Sequence, residues 1–187
     1  ALAILTDYHG PEHHRTASFT TMRARPLVYR GELAEGGDPL TAALAVQERV
    51  HGPVHPAVAS ALNDLGSAAL QRDRFDEAEA HFRRMLAVYR AVHAGEEHYL
   101  VGTATSNLAS VLSAKGDHAR AEELFREAVG LFERTLSADH LNTGIARIKL
   151  GRTLLRQNRF AEAERETLAG HAIVAAQAAP SVSWLRA

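Results

Sequence analysis

The strongest constraint on this chain is a repeat of about 42 residues. "HGPEH" at residues 9–13 returns as "HGPVH" at 51–55, so His13 and His55 lie 42 residues apart. The segments around them keep that offset: "LAILTDYHG" from Leu2, "LAVQERVHG" from Leu44 and "LAVYRAVHAGEEH" from Leu86. One extra residue enters before His98, and His140 follows 42 later. Leu65-Gly66, Leu108-Ala109 and Leu150-Gly151 hold the same phase, as do Ala78, Ala121 and Ala163. A period of this length implies stacked supersecondary units, none of which can bury its apolar face alone.

Each unit reads as two helices, A and B. Pro56 can open helix A, because the first turn needs no N–H, and Leu62, Leu65, Ala69 and Leu70 recur at helical spacing. "QRDRF" is a polar turn. Asp76 is placed to cap helix B, with Glu79 as the return half of a capping box. Ala78, Phe82, Met85, Leu86 and Tyr89 form its apolar face. Gly66, Ala109 and Gly151 let helix A lie close to its own helix B, with Ala78, Ala121 and Ala163 opposite. Alanine is plentiful and aromatics make up only 6% of the chain, which favours closely packed helices over sheets.

The pattern Leu-Gly, a break, then Phe-x-Glu-Ala-Glu resembles the tetratricopeptide repeat. The period, with "HPAVASALNDLG" and "FDEAEAHFRRMLAVYRAV", resembles the longer kinesin-light-chain type. The resemblance implies an all-α, right-handed superhelical solenoid of antiparallel helix pairs. Such arrays also occur in bacterial multidomain proteins, including regions C-terminal to serine/threonine kinase domains.

The repeats divide the chain at 1–9 (the end of a truncated helix B), 10–51, 52–93, 94–136, 137–179 and 180–187. Residues 10–51 form a degenerate repeat: Arg23-Ala24 replaces Leu-Gly, Pro26 should kink helix A, and "EGGDP" delays helix B to Asp38-Pro39. "APSVSWLRA" reads as the start of a further helix. The apolar "ALAIL" and "SVSWL" at the two ends suggest a piece of a larger array.

Other chemistries find little support. A formal net charge of −1 gives no global field toward nucleic acid or anionic lipid. The chain has no cysteine, so disulfides and thiolate chemistry are excluded. No apolar run is long enough for a membrane span. These features fit a cytoplasmic protein without cofactor or metal. His9/His13 and His51/His55 have i,i+4 spacing, but an intervening Gly-Pro means the rings need not share a face. No GxSxG, P-loop or HExxH is present, so no enzyme is expected. Glu77, Glu79, Glu122, Glu123, Glu162 and Glu164 should mostly face solvent, with partners such as Glu79–Arg83 and Glu122–Arg126.

The resemblance implies that the A helices line a concave groove contacted by ligands around the Leu-Gly pair. Those positions are Ser60, Asn63, Asp64, Ser67 and Gln71 in the second unit, and Thr103, Ser106, Asn107 and Ser110 in the third. In the fourth they are Ile145, Lys149, Arg152 and Arg156. Asparagine amides can hold the C=O and N–H of an extended peptide. Lys149, Arg152 and Arg156 would suit a carboxylate or acidic residue. Asp64, Ser60 and Ile145 depart from the family's two-carboxylate clamp for chaperone tails. The expected function is a protein-binding scaffold. The alternative is a regulatory or self-associating segment of a larger enzyme such as a kinase, contacting its own polypeptide.

Overall fold

The computed structural model describes residues 8–10, 13, 15–16 and 39–178. From Pro39 onward these form seven α-helices: α1 Pro39–His51, α2 Pro56–Gln71, α3 Phe75–Val92, α4 Tyr99–Ala114, α5 His118–Thr135, α6 Leu141–Arg156 and α7 Phe160–Ala178. Among the described residues there is no strand. The chain is all-α. Arg23, Ala24, Pro26, Asp38 and the segments "ALAIL" and "SVSWLRA" lie outside the described residues.

Two compact units are present, Ala1–Glu96 and Glu97–Ala187. The first holds α1 to α3 and the second α4 to α7. Each A helix packs antiparallel on the B helix that follows it: α2 on α3, α4 on α5, α6 on α7.

The turns inside these pairs share one geometry. Asp73, Gly116 and Asn158 occupy the same left-handed position, at φ 56°, 87° and 61°. Asp and Asn are among the few side chains that tolerate it. Around each, two N–H groups turn back to the ending helix. Arg74, Asp117 and Arg159 N–H donate to Ala69, Leu112 and Leu154 C=O at 2.9–3.1 Å. Asp73, Gly116 and Asn158 N–H donate to Leu70, Ser113 and Leu155 C=O at 3.1–3.2 Å. This six-to-one and five-to-two pairing closes the helix C-terminus in a Schellman motif.

That turn also places the next helix start, which corrects the expectation for Asp76. The chain restarts at Phe75 with Arg74 as N-cap and no side-chain cap bond. Asp76 is therefore already inside the first turn, where its charge faces the positive end of the helix dipole. In the α4/α5 pair the capping position is Asp117, whose carboxylate accepts from Arg120 N–H at 3.3 Å.

Small residues set the spacing within pairs. A Cβ on Gly66 would stand 2.7 Å from Phe82 Cε1. On Gly151 it would meet the Thr167 hydroxyl and stand 2.9 Å from Ala163 C=O. A second close crossing joins the other ends of α6 and α7, where a Cβ on Gly170 would stand 2.6 Å from Gly144 C=O. In the first unit Val58, Leu62, Leu65, Phe82, Met85 and Tyr89 are buried. In the second, Ala109, Leu112, Ala121, Phe125, Leu150, Leu154 and Ala163 form one core cluster. Ala128, Val129, Phe132 and Ala146 form another.

Charged clips join neighbouring pairs in the second unit. Arg147 of α6 donates to Glu133 of α5 at 2.6 Å and to Glu166 of α7 at 2.7 Å. Glu122 of α5 accepts from Arg126 at 2.8 Å, Gln157 at 3.0 Å and Arg159 at 2.6 Å. Burial pushes the Glu122 carboxyl up, but the hydrogen bonds from Arg126, Arg159 and Gln157 outweigh it and hold the group below its usual range. Of the acids named from spacing, Glu77, Glu123 and Glu164 are exposed, Glu122 and Glu162 are half-buried, and Glu79 is buried. The covered acids meet arginine: Glu79 pairs with Arg83 at 2.5 Å, the buried Glu166 with Arg147, and Glu122 as above.

Candidate functional site on the A helices

Helical spacing puts most candidate side chains in stripes. On α2, Ser60, Asn63 and Ser67 are half-buried and Gln71 is exposed. They lie at i, i+3, i+7 and i+11, on one face. Asp64 is turned further in, with 7% of its surface exposed. On α4, Thr103, Asn107 and Ser110 share a face and are half-buried, while Ser106 is 6% exposed. Asp64 and Ser106 depart from the expectation that these polar positions are exposed: each lies one step round the helix, toward the packed side.

Two hydroxyls of the α4 stripe are already engaged. Thr103 Oγ1 donates to Tyr99 C=O at 3.1 Å, and Ser110 Oγ donates to Ser106 C=O at 2.9 Å. Their protons are spent on the helix, so toward a partner they act as acceptors. The Asn107 amide carries both donor and acceptor at the centre of the stripe.

On α6, Ile145, Lys149, Arg152 and Arg156 follow an i, i+4, i+7, i+11 path, again on one face. Arg152 and Arg156 are exposed. Lys149 is half-buried, and its amine is held below the usual lysine value, first by burial and then by the Arg152 charge. Both causes disfavour the charged amine, and a carboxylate arriving here would act against both.

Three apolar side chains extend the two stripes toward the N-termini of α4 and α6. Tyr99, Leu141 and Ile145 are 37%, 40% and 39% exposed. Tyr99 stands one turn before Thr103, and Leu141 one turn before Ile145. Sequence reasoning missed Tyr99 and Leu141. The 42-residue phase contained the signal: both occupy the position of Pro56, the first residue of helix A, which packs little against its own helix B.

The histidine pairs differ from the sequence expectation. The rings of His51 and His55 stack at 4.2 Å with 9° between planes, and those of His9 and His13 at 4.4 Å with 13°. Gly-Pro does not separate them: Gly52, at φ 77°, reverses the chain and brings the second ring over the first. The lone pairs of parallel imidazoles lie in parallel planes and do not converge on one ion. Among the described residues no three His, Cys, Asp or Glu side chains are placed to hold a metal.

Helix pairs repeated at a fixed period, with small residues at each crossing and polar stripes on the A helices, define a helical-repeat scaffold. The chain belongs to the tetratricopeptide repeat family, whose model matches residues 20–91 and 100–166. It is similar to human tetratricopeptide repeat protein 19, mitochondrial, with 27% identity over 67% of this chain and 33% of that protein. The rat protein of the same name is 25% identical over 71% of this chain and 36% of its own length. The chain thus spans about a third of the length of these relatives. Among solved structures, a Podosopora anserina protein described as a kinesin light chain with nearly identical TPR-like repeats superposes with a TM-score of 0.74. Its identity is 22%, over 94% of this chain and 82% of that one. BtubC (BKLC) from P. vanneervenii gives a TM-score of 0.74 at 20% identity, over 87% of this chain and 64% of that one. The fold is that of kinesin-light-chain-like repeats. Repeats of this family generally mediate protein–protein interaction and are typically non-catalytic. No helix among the described residues is long and apolar enough to cross a membrane.

Proposed function

We propose that the A-helix face of α4 and α6 binds an extended protein segment that carries an apolar side chain and carboxylates. The observation that carries this reading is the graded surface of the second unit. Tyr99, Leu141 and Ile145 form its apolar end, and Arg152 and Arg156 its basic end. Asn107 lies between them, with an amide suited to a peptide backbone. Bidentate pairing with arginine would fix the carboxylate end of the segment. The polar stripe of α2, Ser60, Asn63, Ser67 and Gln71, would make similar backbone contacts within the first unit.

Affinity for a short segment should be micromolar, about −8 kcal/mol, since ordering the peptide consumes most of the gross gain. The test is fluorescence anisotropy with labelled peptides that pair one aromatic or aliphatic residue with several Asp or Glu residues. Asn107→Ala should weaken binding several-fold, and Arg152→Glu with Arg156→Glu should abolish it. Unchanged affinity in both variants would sink the reading.

A further inference from the structure

The same histidine geometry stands at every described start of an A helix. His55 Nδ1 accepts from Ala57 N–H at 3.1 Å, His98 Nδ1 from Leu100 N–H at 3.2 Å, and His140 Nδ1 from Asn142 N–H at 3.1 Å. His13 Nδ1 accepts from Arg15 N–H at 3.2 Å. His55, His98 and His140 are the N-caps of α2, α4 and α6, with extended backbone at ψ 146°, 138° and 144°. An N-cap is ordinarily an oxygen of Ser, Thr, Asp or Asn, which accepts at any pH. An imidazole nitrogen accepts only while it carries no proton.

We propose that these capping histidines make the repeat array proton-sensitive: protonation uncaps the A helices together and loosens their first turns. Adding a proton to Nδ1 removes the lone pair that accepts. The donor N–H then loses its partner, and a cation stands at the positive end of the helix dipole. The unfolded chain suffers neither loss, so stability falls as pH falls across the range in which histidine charges. At the joint before α2 the effect is compounded, because two charged imidazoles would face each other at the 4.2 Å stacking distance of His51 and His55.

The neighbouring charges at each joint do not supply a substitute cap. Beside His55, α1 carries Glu48 and Arg49, and Glu48 is paired with Arg84 of α3; Arg90 and His93 lie at the end of α3. Beside His98, Glu97 is paired with Arg134 of α5 at 2.8 Å, and the Tyr99 ring lies 4.7 Å away. Beside His140 stand the Asp139 carboxylate, Glu133 and Arg134 at the end of α5, and the uncharged Gln177 of α7, which donates to Asp139 C=O. This inference does not rest on the proposed binding function.

The experiment compares thermal unfolding of the full 187-residue chain with that of a His55→Asn/His98→Asn/His140→Asn variant at about pH 8 and about pH 5. Asparagine puts Oδ1 where imidazole Nδ1 sits and caps at both pH values. The wild type should lose roughly 5–10 °C more than the variant on acidification, from the usual worth of a cap. Equal losses would overturn the proposal. Long-range 1H–15N correlation on the wild type needs no variant to fold. It should show the Nε2–H tautomer at His55, His98 and His140 at about pH 8, and Nδ1–H at these positions would also overturn the proposal.

Discussion

Gly66 lies against the face of Phe82 so closely that its missing Cβ would stand 2.7 Å from the ring. Both residues are buried, Gly66 on α2 and Phe82 on α3. The distance between the two helices is therefore set by the absence of a side chain. Gly66→Ala should cost about 1–3 kcal/mol, the usual cost of overpacking. Pairing it with Phe82→Leu should recover part of that loss, because the smaller side chain frees the volume. Urea denaturation of the two single variants and the double variant measures the coupling.

Gly116 separates backbone strain from packing. It sits at φ 87°, yet nothing lies within 4 Å of the Cβ it lacks. Gly116→Ala should therefore cost about 1–2 kcal/mol through the left-handed backbone alone. Asn158→Gly, at the equivalent position, should be nearly neutral. Equal, large losses at both positions in thermal unfolding would show that contacts dominate these turns.

Glu122 gathers three donors, Arg126 from its own helix and Gln157 and Arg159 from the turn after α6, and its carboxyl is held below the usual range. A depressed carboxylate contributes stability above its unfolded value of about 4.5 and loses it as pH falls through the lower folded value. Glu122→Gln should destabilise the second unit by roughly 1–2 kcal/mol at neutral pH, at the lower end because Arg126 and Arg159 are partly exposed. The same variant should flatten the acid limb of the stability curve below pH 4.5. Urea midpoints taken across that limb, for wild type and variant, check both statements.

Arg147 holds Glu133 of α5 and Glu166 of α7 through the two ends of one guanidinium. Arg147→Met keeps the stem and removes the charge, leaving two carboxylates without their shared cation. The expected cost is about 2–3 kcal/mol, more than Glu133→Gln alone, since Glu166 is the more buried partner. A cost no larger than that of Glu133→Gln would mean that α5 and α7 are not held through this residue.

The helix pairs and their crossings were legible because a period exposes whatever recurs. Leu-Gly and the small residues at 78, 121 and 163 stand out only when three copies are aligned. What the alignment could not show was set by geometry between copies. The start of α3 depends on how α2 ends, so Asp76 looked like a cap until the left-handed Asp73 placed the restart at Phe75. Glu122 meets Gln157 and Arg159 across 35 and 37 residues, and no local spacing signals that. The histidine pairs were weighed as helix-borne metal ligands, a frame in which Gly-Pro separates them. A glycine at φ 77° instead folds one ring onto the other. On the A-helix face, the polar stripe followed from helical spacing, but the inward turn of Asp64 and Ser106 depends on how each helix is rotated against its neighbour.

The central claim is that the A-helix face of α4 and α6 receives the partner segment. The most direct measurement is a 1H–15N titration of the protein with a peptide pairing an aromatic residue with several aspartates. Shift changes should concentrate at Tyr99, Thr103, Asn107, Ile145, Lys149, Arg152 and Arg156 and spare Glu123, Glu127 and Arg165 on α5 and α7. Changes centred on α5 and α7, with the A-helix amides unmoved, would contradict it.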